Sequence, residues 1–349
     1  MKRYLILEDG TVFEGKAFGA DVPAVGELVF TTGMCGYIET LTDESYFGQI
    51  VLQTFPLIGN YGIIEEDFEG DCSVKAYAVQ EACDNPSNFR MQKTLDAFLK
   101  EKGIPGICGI DTRSVTKRIR EKGVMNAAVA DEIPDKLNFI KDYKIVKAVE
   151  SVTVKEPRVY NENGKYSVVL IDYGAKRNII RELVKRDCRV TLVPASASAE
   201  EILSLKPGGI MLSNGPGDPA ENVYEINEIK KLAGNVPIFG ICLGHQLLAL
   251  SLGAHTEKLK YGHRGVNQPV KETDGKRTYI TSQNHGYAVV SDSIKSGKIS
   301  FINANDGTCE GIDYPEINAF SVQFHPEACS GPRDTAFLFD RFIGLMEEK

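Results

Sequence analysis

The stretch VPIFGICLGHQLLAL, residues 236–250, decides the fold class of this chain. An apolar run over 236–241 is followed at once by apolar residues at helical spacing, which predicts a buried strand that turns into a helix. Cys242 lies at the junction, between Gly240 and Gly244. In so sharp a turn the flanking residues crowd together, and only glycine, which has no Cβ, avoids a clash. The pattern has the form of a nucleophile elbow with cysteine as the nucleophile.

The same alternation continues on the amino-terminal side of this stretch. Apolar strands are predicted over 167–172, 189–194 and 209–213, and helices over 176–185, 199–205 and 222–233. Buried strands that alternate with helices predict an α/β fold with a central, mostly parallel sheet flanked by helices. After residue 253 we expect short strand-like segments, and then a closing helix over 334–346.

The first 130 residues have a different hydrophobic pattern. Short apolar runs broken by turn signals, with predicted helices over 92–102 and 112–122, predict a mixed α+β domain. The pair Asp9-Gly10 tolerates positive φ and predicts a hairpin with a type I′ turn. Charged, weakly periodic residues then separate the two halves of the chain.

The domain boundaries follow from this change of pattern. We predict an N-terminal domain over 1–150, a linker over 151–166 and the α/β domain over 167–349. With 349 residues, of which 42% are hydrophobic, the chain is long enough for two cores.

Composition excludes several classes of function. The net charge is −8 and no cluster of Lys and Arg is paired with aromatic residues, so we expect no nucleic-acid binding. The first ten residues are too poor in apolar side chains for a signal peptide, and no apolar run reaches the roughly 18 residues of a membrane span. We expect a cytoplasmic protein with no membrane contact.

The eight cysteines are scattered, without a CxxC pair. In a long chain with no export signal this is typical of reduced thiols rather than of a disulfide framework. Cys242 and His245 have the spacing of half a metal motif, but no second pair at ligand spacing follows them. We therefore expect no metal site.

A nucleophilic cysteine needs a base, and His325 is the candidate among five histidines. It ends a predicted strand and is followed by Pro326 and Glu327. Because proline fixes φ, Glu327 can lie beside the imidazole, hold its tautomer and raise its pKa above the usual 6.5 when the imidazole is not coupled to a thiolate. The helix that follows Cys242 favours the thiolate. The alternative is that Cys242 is a buried core residue and His325 an edge residue.

A third motif is SNGPGDP, residues 213–219, which follows a predicted strand. A rigid Gly-Pro-Gly loop exposes backbone N–H groups, and the carboxyl edge of a parallel sheet is where ligands bind. Beside the elbow, such a loop supplies a second amide for an oxyanion, next to the amide of Leu243. A plain turn is the alternative.

Three motifs together resemble the class I, triad-type glutamine amidotransferases: GPGDP at 215–219, GICLGHQ at 240–246 and FHPE at 324–327. The resemblance implies hydrolysis of the side-chain amide of glutamine through a γ-glutamyl thioester, with release of ammonia. It implies Cys242 as nucleophile, His325 as general base and then acid, and Glu327 as the residue that orients His325. The amides of Leu243 and Gly215 would form the oxyanion hole.

The resemblance also implies a set of substrate-binding residues, with Ser45 reaching the glutamine from the N-terminal domain. They are Ser45, Gly215, Gly217, Leu243, Gln246, Asn284, Gly286 and Tyr287. The sequence departs from the family pattern at Gln268, where histidine is expected, and at Tyr287, where phenylalanine is common. Neither position belongs to the triad.

The N-terminal half distinguishes among amidotransferases. Its motifs resemble the small, glutaminase subunits of carbamoyl-phosphate synthetases: GTVFEG at 10–15, GELVF at 26–30, GYIETLTDESY at 36–46, GNYG at 59–62 and GIDTR at 109–113. The resemblance implies a large ATP-dependent partner subunit that receives the ammonia. The N-terminal domain is the expected docking surface.

The chain has no G-x-x-x-x-G-K-[ST] loop and no G-x-G-x-x-G after a strand. We therefore expect no cofactor in this chain, with ATP and Mg in the partner subunit. Alternatives are the glutaminase of another synthase, making anthranilate or GMP, and a non-catalytic scaffold. The sequence leaves open whether arginine or pyrimidine synthesis is served, the number of heterodimers in the assembly, and the effectors.

Overall fold

The computed structural model describes residues 1–328 and 330–347. The chain divides into two compact units, Met1–Val146 and Lys147–Lys349. Residues 151–166, predicted as a linker, belong to the second unit and contain the end of a short helix and a strand that joins the sheet. The residues Arg158–Tyr160 belong to the sheet because they pair antiparallel with the strand that contains Val190 and Leu192.

The first unit is built on a closed β-barrel. The strands of this unit are β1 Lys2–Leu7, β2 Val12–Gly19, β3 Ala24–Thr31, β4 Gln49–Gln53, β5 Leu57–Ile58, β6 Ala76–Ala78, β7 Glu81–Ala82, β8 Pro105–Cys108 and β9 Met125–Ala130. The helices are α1 Tyr37–Thr42, α2 Leu95–Glu101, α3 Thr112–Lys122 and α4 Asn138–Lys141. The barrel order is β1-β2-β8-β6-β4-β3-β9, while β5 and β7 pair separately.

The hairpin between β1 and β2 differs from the expected type I′ turn. Gly10 has a φ of 87°, but Asp9 is not among the residues with positive φ. The amide of Gly10 donates to the carbonyl of Leu7 at 2.9 Å, and the amide of Leu7 donates to the carbonyl of Thr11 at 2.8 Å. The loop is therefore one residue longer than predicted, and glycine alone takes the left-handed position.

The second unit is built on a 10-stranded sheet. Its strands are β10 Arg158–Tyr160, β11 Tyr166–Asp172, β12 Cys188–Pro194, β13 Gly209–Leu212, β14 Ile238–Ile241, β15 Thr256–Glu272, β16 Thr278–Val289, β17 Lys298–Asn303, β18 Cys309–Tyr314 and β19 Ala319–Val322. Its helices are α5 Ala148–Val152, α6 Arg177–Lys185, α7 Ala199–Ser204, α8 Val223–Leu232, α9 Leu243–Ser251 and α10 Phe337–Glu347.

The order of the sheet is β10-β12-β11-β13-β14-β19-β18-β17-β15-β16. The pairs from β12 to β19 are parallel, and the remaining pairs are antiparallel. This confirms the predicted α/β fold with a mostly parallel central region. The segments after residue 253 are longer than expected: β15 has 17 residues and β16 has 12, and two register shifts bend the pair.

Two apolar layers cover the sheet. Val169 and Ile171 of β11 pack in a cluster with residues of α7, α8 and α9, whereas Val168 and Leu170 pack in a cluster with residues of α6 and α10. Neighbouring residues of the strand thus point to opposite faces, as strand geometry requires. Within the described residues, no helix has the length and apolar character needed to cross a bilayer.

Candidate active site

Cys242 lies between β14 and α9 in a strained backbone conformation. Its φ is 53° and its ψ is −102°, a backbone conformation that residues other than glycine rarely adopt. A Cβ on Gly240 would lie 2.8 Å from the carbonyl carbon of Gly244, and one on Gly244 would lie 2.4 Å from the carbonyl oxygen of Leu212. The crowding expected of a nucleophile elbow is therefore present, and both glycines are needed for it.

The side chain of Cys242 is almost fully buried at the carboxyl edge of the sheet. Its amide donates to the carbonyl of Val322 at 2.9 Å, which ties the elbow to β19. Its Sγ lies 3.7 Å from the carbonyl oxygen of Asn284, in β16. The thiol is thus next to segment 284–287, where three of the predicted substrate-binding residues lie.

His325 and Glu327 follow the end of β19. Nδ1 of His325 lies 2.7 Å from Oε1 of Glu327, and both side chains are buried. The amide of His325 donates to the carbonyl of Ser282 at 2.9 Å, which fixes the backbone of the base against β16. Since a carboxylate accepts, Nδ1 carries a proton toward Glu327, and Nε2 is the nitrogen that can exchange a proton with the site. Within residues 1–328 and 330–347, Nε2 makes no hydrogen bond of ordinary geometry, but the side chain of Cys242 is close enough to interact with the imidazole.

The charges around His325 set its pKa. Burial opposes protonation of the imidazole, and the ammonium of Lys176 opposes it as well. The carboxylate of Glu327 and the side chain of Cys242 outweigh both, and the pKa of His325 is raised to about 9. Burial also acts to raise the pKa of Glu327, but the positive charge of His325 brings it below its usual value. The pair therefore behaves as an imidazolium beside a carboxylate.

The Gly-Pro-Gly loop lies against the elbow. The amide of Gly244 donates to the carbonyl of Ser213 at 3.0 Å, which joins the start of α9 to the residues before the loop. A Cβ on Gly215 would lie 2.2 Å from the carbonyl oxygen of Tyr173, and Gly217 has a φ of 91°. Both positions therefore require glycine, and this lets the loop pack closely next to the helix that begins at Leu243.

Two family descriptions cover most of the chain. Residues 169–345 match the family described as glutamine amidotransferase class-I, and residues 5–129 match the carbamoyl-phosphate synthase small chain, CPSase domain. The carbamoyl phosphate synthase small chain of Oceanobacillus iheyensis is 52% identical over 353 residues, which cover 99% of this chain and 96% of the relative.

The chain belongs to the carbamoyl phosphate synthase small chain family. The small chain of Listeria monocytogenes serotype 4b is 50% identical, with 100% of this chain and 98% of the relative covered. A solved structure of a putative GMP synthase component from Thermoplasma acidophilum is 22% identical over 52% of this chain and 94% of that one, with a TM-score of 0.47. That likeness does not bear on the activity.

Lys176 also lies in the site of this small chain, although the sequence analysis did not identify it. Its Nζ lies 3.3 Å from Nδ1 of His325 and 3.8 Å from Oε1 of Glu327. Its amide donates to Oδ1 of Asn214 at 3.1 Å, which fixes the start of α6. The sequence places Lys176 just after a predicted strand, at the edge where ligands bind, but it does not specify that Lys176 faces His325.

The predicted substrate-binding residues fall into two groups. In the second unit, Gln246 of α9 donates from Nε2 to the carbonyl of Tyr287 at 2.7 Å, so the helix after Cys242 and segment 284–287 are joined. Ser45 lies in the first unit, in the short 3₁₀ helix Glu44–Tyr46, and its amide donates to Oδ1 of Asp43 at 2.9 Å. Glutamine binding by these residues stays a prediction.

One cluster in the second unit has the composition of a metal site. Donor atoms of His263, His285 and Glu310 lie within 4.8 Å of one another, and all three side chains are buried. Both nitrogens of His285 already face oxygen atoms at hydrogen-bond distance, 2.7 Å from Tyr287 O and 3.0 Å from Gln283 Oε1. A metal would have to displace one of these contacts, so the cluster fits a hydrogen-bonded network better than a metal site.

Proposed function

We propose that this chain is the glutamine-hydrolysing small subunit of carbamoyl phosphate synthase. The observation that carries the proposal is the buried His325–Glu327 pair, 2.7 Å apart, in electrostatic contact with Cys242 in its strained elbow. A buried histidine, a carboxylate that orients it and a cysteine at a helix N-terminus are the groups that acyl transfer to sulfur requires.

The reaction follows from these groups. The Cys242 thiolate attacks the side-chain amide carbon of glutamine, and the carbonyl oxygen becomes an oxyanion that the amides of Leu243 and Gly215 stabilise. The intermediate collapses as the C–N bond breaks, and His325 donates its proton to the leaving nitrogen, which departs as ammonia. A water that gives a proton to His325 then attacks the thioester, and glutamate and free Cys242 are formed.

The reaction has a product that this chain does not use further. We propose that ammonia passes to a large ATP-dependent subunit, which binds ATP and Mg and makes carbamoyl phosphate from bicarbonate for arginine and pyrimidine synthesis. The match of residues 5–129 to the small chain supports this partner. We propose that the first unit is the docking surface for this partner. We also propose a cytoplasmic location, for which free thiols at the described cysteines are typical.

Glutamate release from glutamine tests the chemistry. We expect Cys242→Ser to lose at least about a thousandfold in rate, because the hydroxyl is a far weaker nucleophile than a thiolate. A glutamine analogue with an electrophilic carbon should label the wild-type chain at Cys242. Wild-type hydrolysis by Cys242→Ser would reject the proposal, and failure of the label would favour a non-catalytic scaffold.

The acceptor enzyme needs a separate test. The chain should co-purify from its host with an ATP-dependent subunit, and the complex should make carbamoyl phosphate from glutamine only when ATP is added. Co-purification with an anthranilate or GMP enzyme would keep the glutaminase chemistry and reject the assigned acceptor.

A further inference from the structure

The Gly-Pro-Gly loop, residues 215–217, depends on its neighbours for its position. Within residues 1–328 and 330–347, no backbone carbonyl accepts a hydrogen bond from the amide of Gly215 or Gly217. An amide without a backbone partner can face an oxyanion, but it does not fix the loop that carries it. The place of the loop is therefore set by the groups that pack against it.

One of these groups is helix α5, Ala148–Val152, at the start of the second unit. A Cβ added to Gly217 would lie only 2.8 Å from Cβ of Ala148, so the methyl group of Ala148 packs directly on the backbone of the loop. Ala148 is buried and is the first residue of its helix. A larger side chain at this position must displace either the loop or the helix.

A second contact between α5 and the loop passes through the turn after β11. A Cβ added to Gly174 would lie 3.1 Å from Cγ2 of Val152 on one side. On the other side it would lie 3.2 Å from Cδ of Pro216 and 3.4 Å from Cα of Gly215. The backbone of Gly174 thus fills the space between α5 and the loop, so a shift of one is passed to the other.

The buried carboxylate of Asp172 ties the end of α5 to the same turn. Its Oδ2 accepts from the amide of Val154 at 2.7 Å. Its Oδ1 accepts from the amides of Gly174 at 3.0 Å and Ala175 at 2.7 Å. A carboxylate has two acceptor oxygens and no donor, which is what three converging N–H groups require.

The loop meets the elbow as well as this turn. A Cβ added to Gly215 would lie 2.8 Å from Cδ2 of Leu243 and 2.2 Å from the carbonyl oxygen of Tyr173. Leu243 follows Cys242, and Tyr173 belongs to the turn that Asp172 holds. The loop is therefore confined between the start of α9 and a turn that is fixed by α5.

We propose that Ala148, Val152 and Asp172 are positioning residues for the oxyanion hole: they hold the loop so that the amide of Gly215 stays where the oxyanion forms. The inference rests on the proposed function, since the oxyanion belongs to glutamine hydrolysis. Oxyanion donors act on the transition state. Their displacement should therefore slow the reaction and weaken binding of an oxyanion analogue more than it weakens binding of glutamate.

An aldehyde in place of the side-chain amide of glutamine measures the oxyanion hole. The thiolate of Cys242 forms a bond to the aldehyde carbon, and the π electrons of the C=O bond move to the oxygen, which takes the place of the oxyanion. Glutamate keeps the amino-acid end and forms no such adduct, so it measures ordinary binding. The inhibition constants Ki of both compounds in the full chain do not depend on the fraction of chain that is folded, whereas an apparent kcat does.

Ala148→Leu should push the loop away from its place. We expect kcat to fall about tenfold or more and the Ki of the aldehyde to rise by a similar factor, with the Ki of glutamate within about threefold of wild type. A wild-type Ki for the aldehyde in this variant would overturn the inference. A wild-type chain that does not hydrolyse glutamine would instead overturn the proposed function, and this inference with it.

Ala199→Leu is the matched control. Ala199 is the buried first residue of α7, and its amide donates to Oε2 of Glu228 at 2.8 Å, in α8. The same enlargement here crowds the core at another helix start, so it should lower stability but leave kcat and both Ki values within about twofold of wild type. If it raised the Ki of the aldehyde as much as Ala148→Leu, the effect would be general loss of packing, and the inference would be overturned.

Asp172→Asn tests the carboxylate at almost constant volume. An asparagine oxygen that stays with Gly174 and Ala175 leaves the N–H₂ group against the amide of Val154, so the tie between α5 and the turn is lost. We expect the Ki of the aldehyde to rise about fivefold or more, with a matching fall in kcat. An unchanged Ki would overturn the assignment of Asp172.

Glu228→Gln is the control for this change, because Glu228 is also a buried carboxylate that accepts from a backbone amide at a helix start. It should leave kcat and both Ki values as in wild type, and a rise in the Ki of the aldehyde equal to that of Asp172→Asn would overturn the assignment of Asp172.

Val152→Ala keeps the inference testable if the other variants do not fold. Val152 is only half-buried, and the change removes two methyl groups without adding a clash. The contact with Gly174 is loosened, so we expect the Ki of the aldehyde to rise about threefold, with the Ki of glutamate unchanged. Equal changes in the two Ki values, or no change in either, would overturn the inference.

Discussion

The ammonium of Lys176 lies 3.3 Å from Nδ1 of His325, on the same nitrogen that faces Glu327 at 2.7 Å. Nδ1 carries a proton toward the carboxylate, so Lys176 acts on the imidazole by its charge and not as a hydrogen-bond donor. Lys176 opposes protonation of His325, whereas Glu327 favours it. The site therefore balances one cation and one anion around a single imidazole.

Removing that cation should move the pH dependence of glutamine hydrolysis. In Lys176→Met the charge that opposes protonation of the imidazole is lost, so the limb of the pH profile that reports His325 should move to higher pH by roughly one unit. The pH profile of kcat/KM measures this shift. Lys176→Arg keeps the charge and should keep the profile. An unmoved profile in Lys176→Met would show that the charge is screened.

The raised pKa of His325 also predicts how stability depends on pH. A histidine whose pKa is about 9 in the folded chain, against 6.5 when unfolded, stabilises the fold fully below pH 6.5. This contribution is lost as the pH rises through 9, because the folded chain then releases the extra proton. The free energy of unfolding of the second unit, measured by denaturant titration, should fall across this window. In His325→Gln the fall should be smaller.

Much of the second unit could be predicted because its signals are local. The apolar runs that predicted strands over 167–172 and 209–213 correspond to β11 and β13, and the glycines around Cys242 predicted the elbow. Lys176 could not be assigned in this way. Its place beside His325 depends on β11 and β19 ending at the same sheet edge, although β13 and β14 lie between them.

The barrel of the first unit could not be predicted from local patterns. Closure requires β1 to pair with β9, which brings Tyr4 opposite Ala130. No spacing or turn residue in the sequence specifies a contact so far apart along the chain. The hairpin after β1 shows the same limit, because the pair Asp9-Gly10 is compatible with more than one loop length.

The elbow glycine Gly244 should not tolerate a methyl group. In Gly244→Ala the new Cβ would lie 2.4 Å from the carbonyl oxygen of Leu212, so strand and helix must separate. We expect a loss of about 1–3 kcal/mol in the free energy of unfolding, together with loss of glutamine hydrolysis. Gly344 in α10 is the control, since a methyl group added there would meet no described atom within 4 Å. Gly344→Ala should stabilise the helix by about 0.5–1 kcal/mol.

Arg3 and Lys2 are neighbours in β1 with opposite environments. Arg3 is fully buried, donates from Nη1 to the carbonyls of Phe18 and Gly106, and pairs with Asp131 at 2.7 Å. Arg3→Met removes the side-chain donor that these carbonyls share and leaves Asp131 without this cationic partner, so the first unit should lose about 3 kcal/mol or more. Lys2 pairs with Glu14 at the surface, with its side chain 70% exposed, and Lys2→Met should change stability by less than about 1 kcal/mol. Hydrogen exchange of the β1 and β9 amides measures both effects, and equal losses in the two variants would show that the guanidinium of Arg3 does not support the barrel.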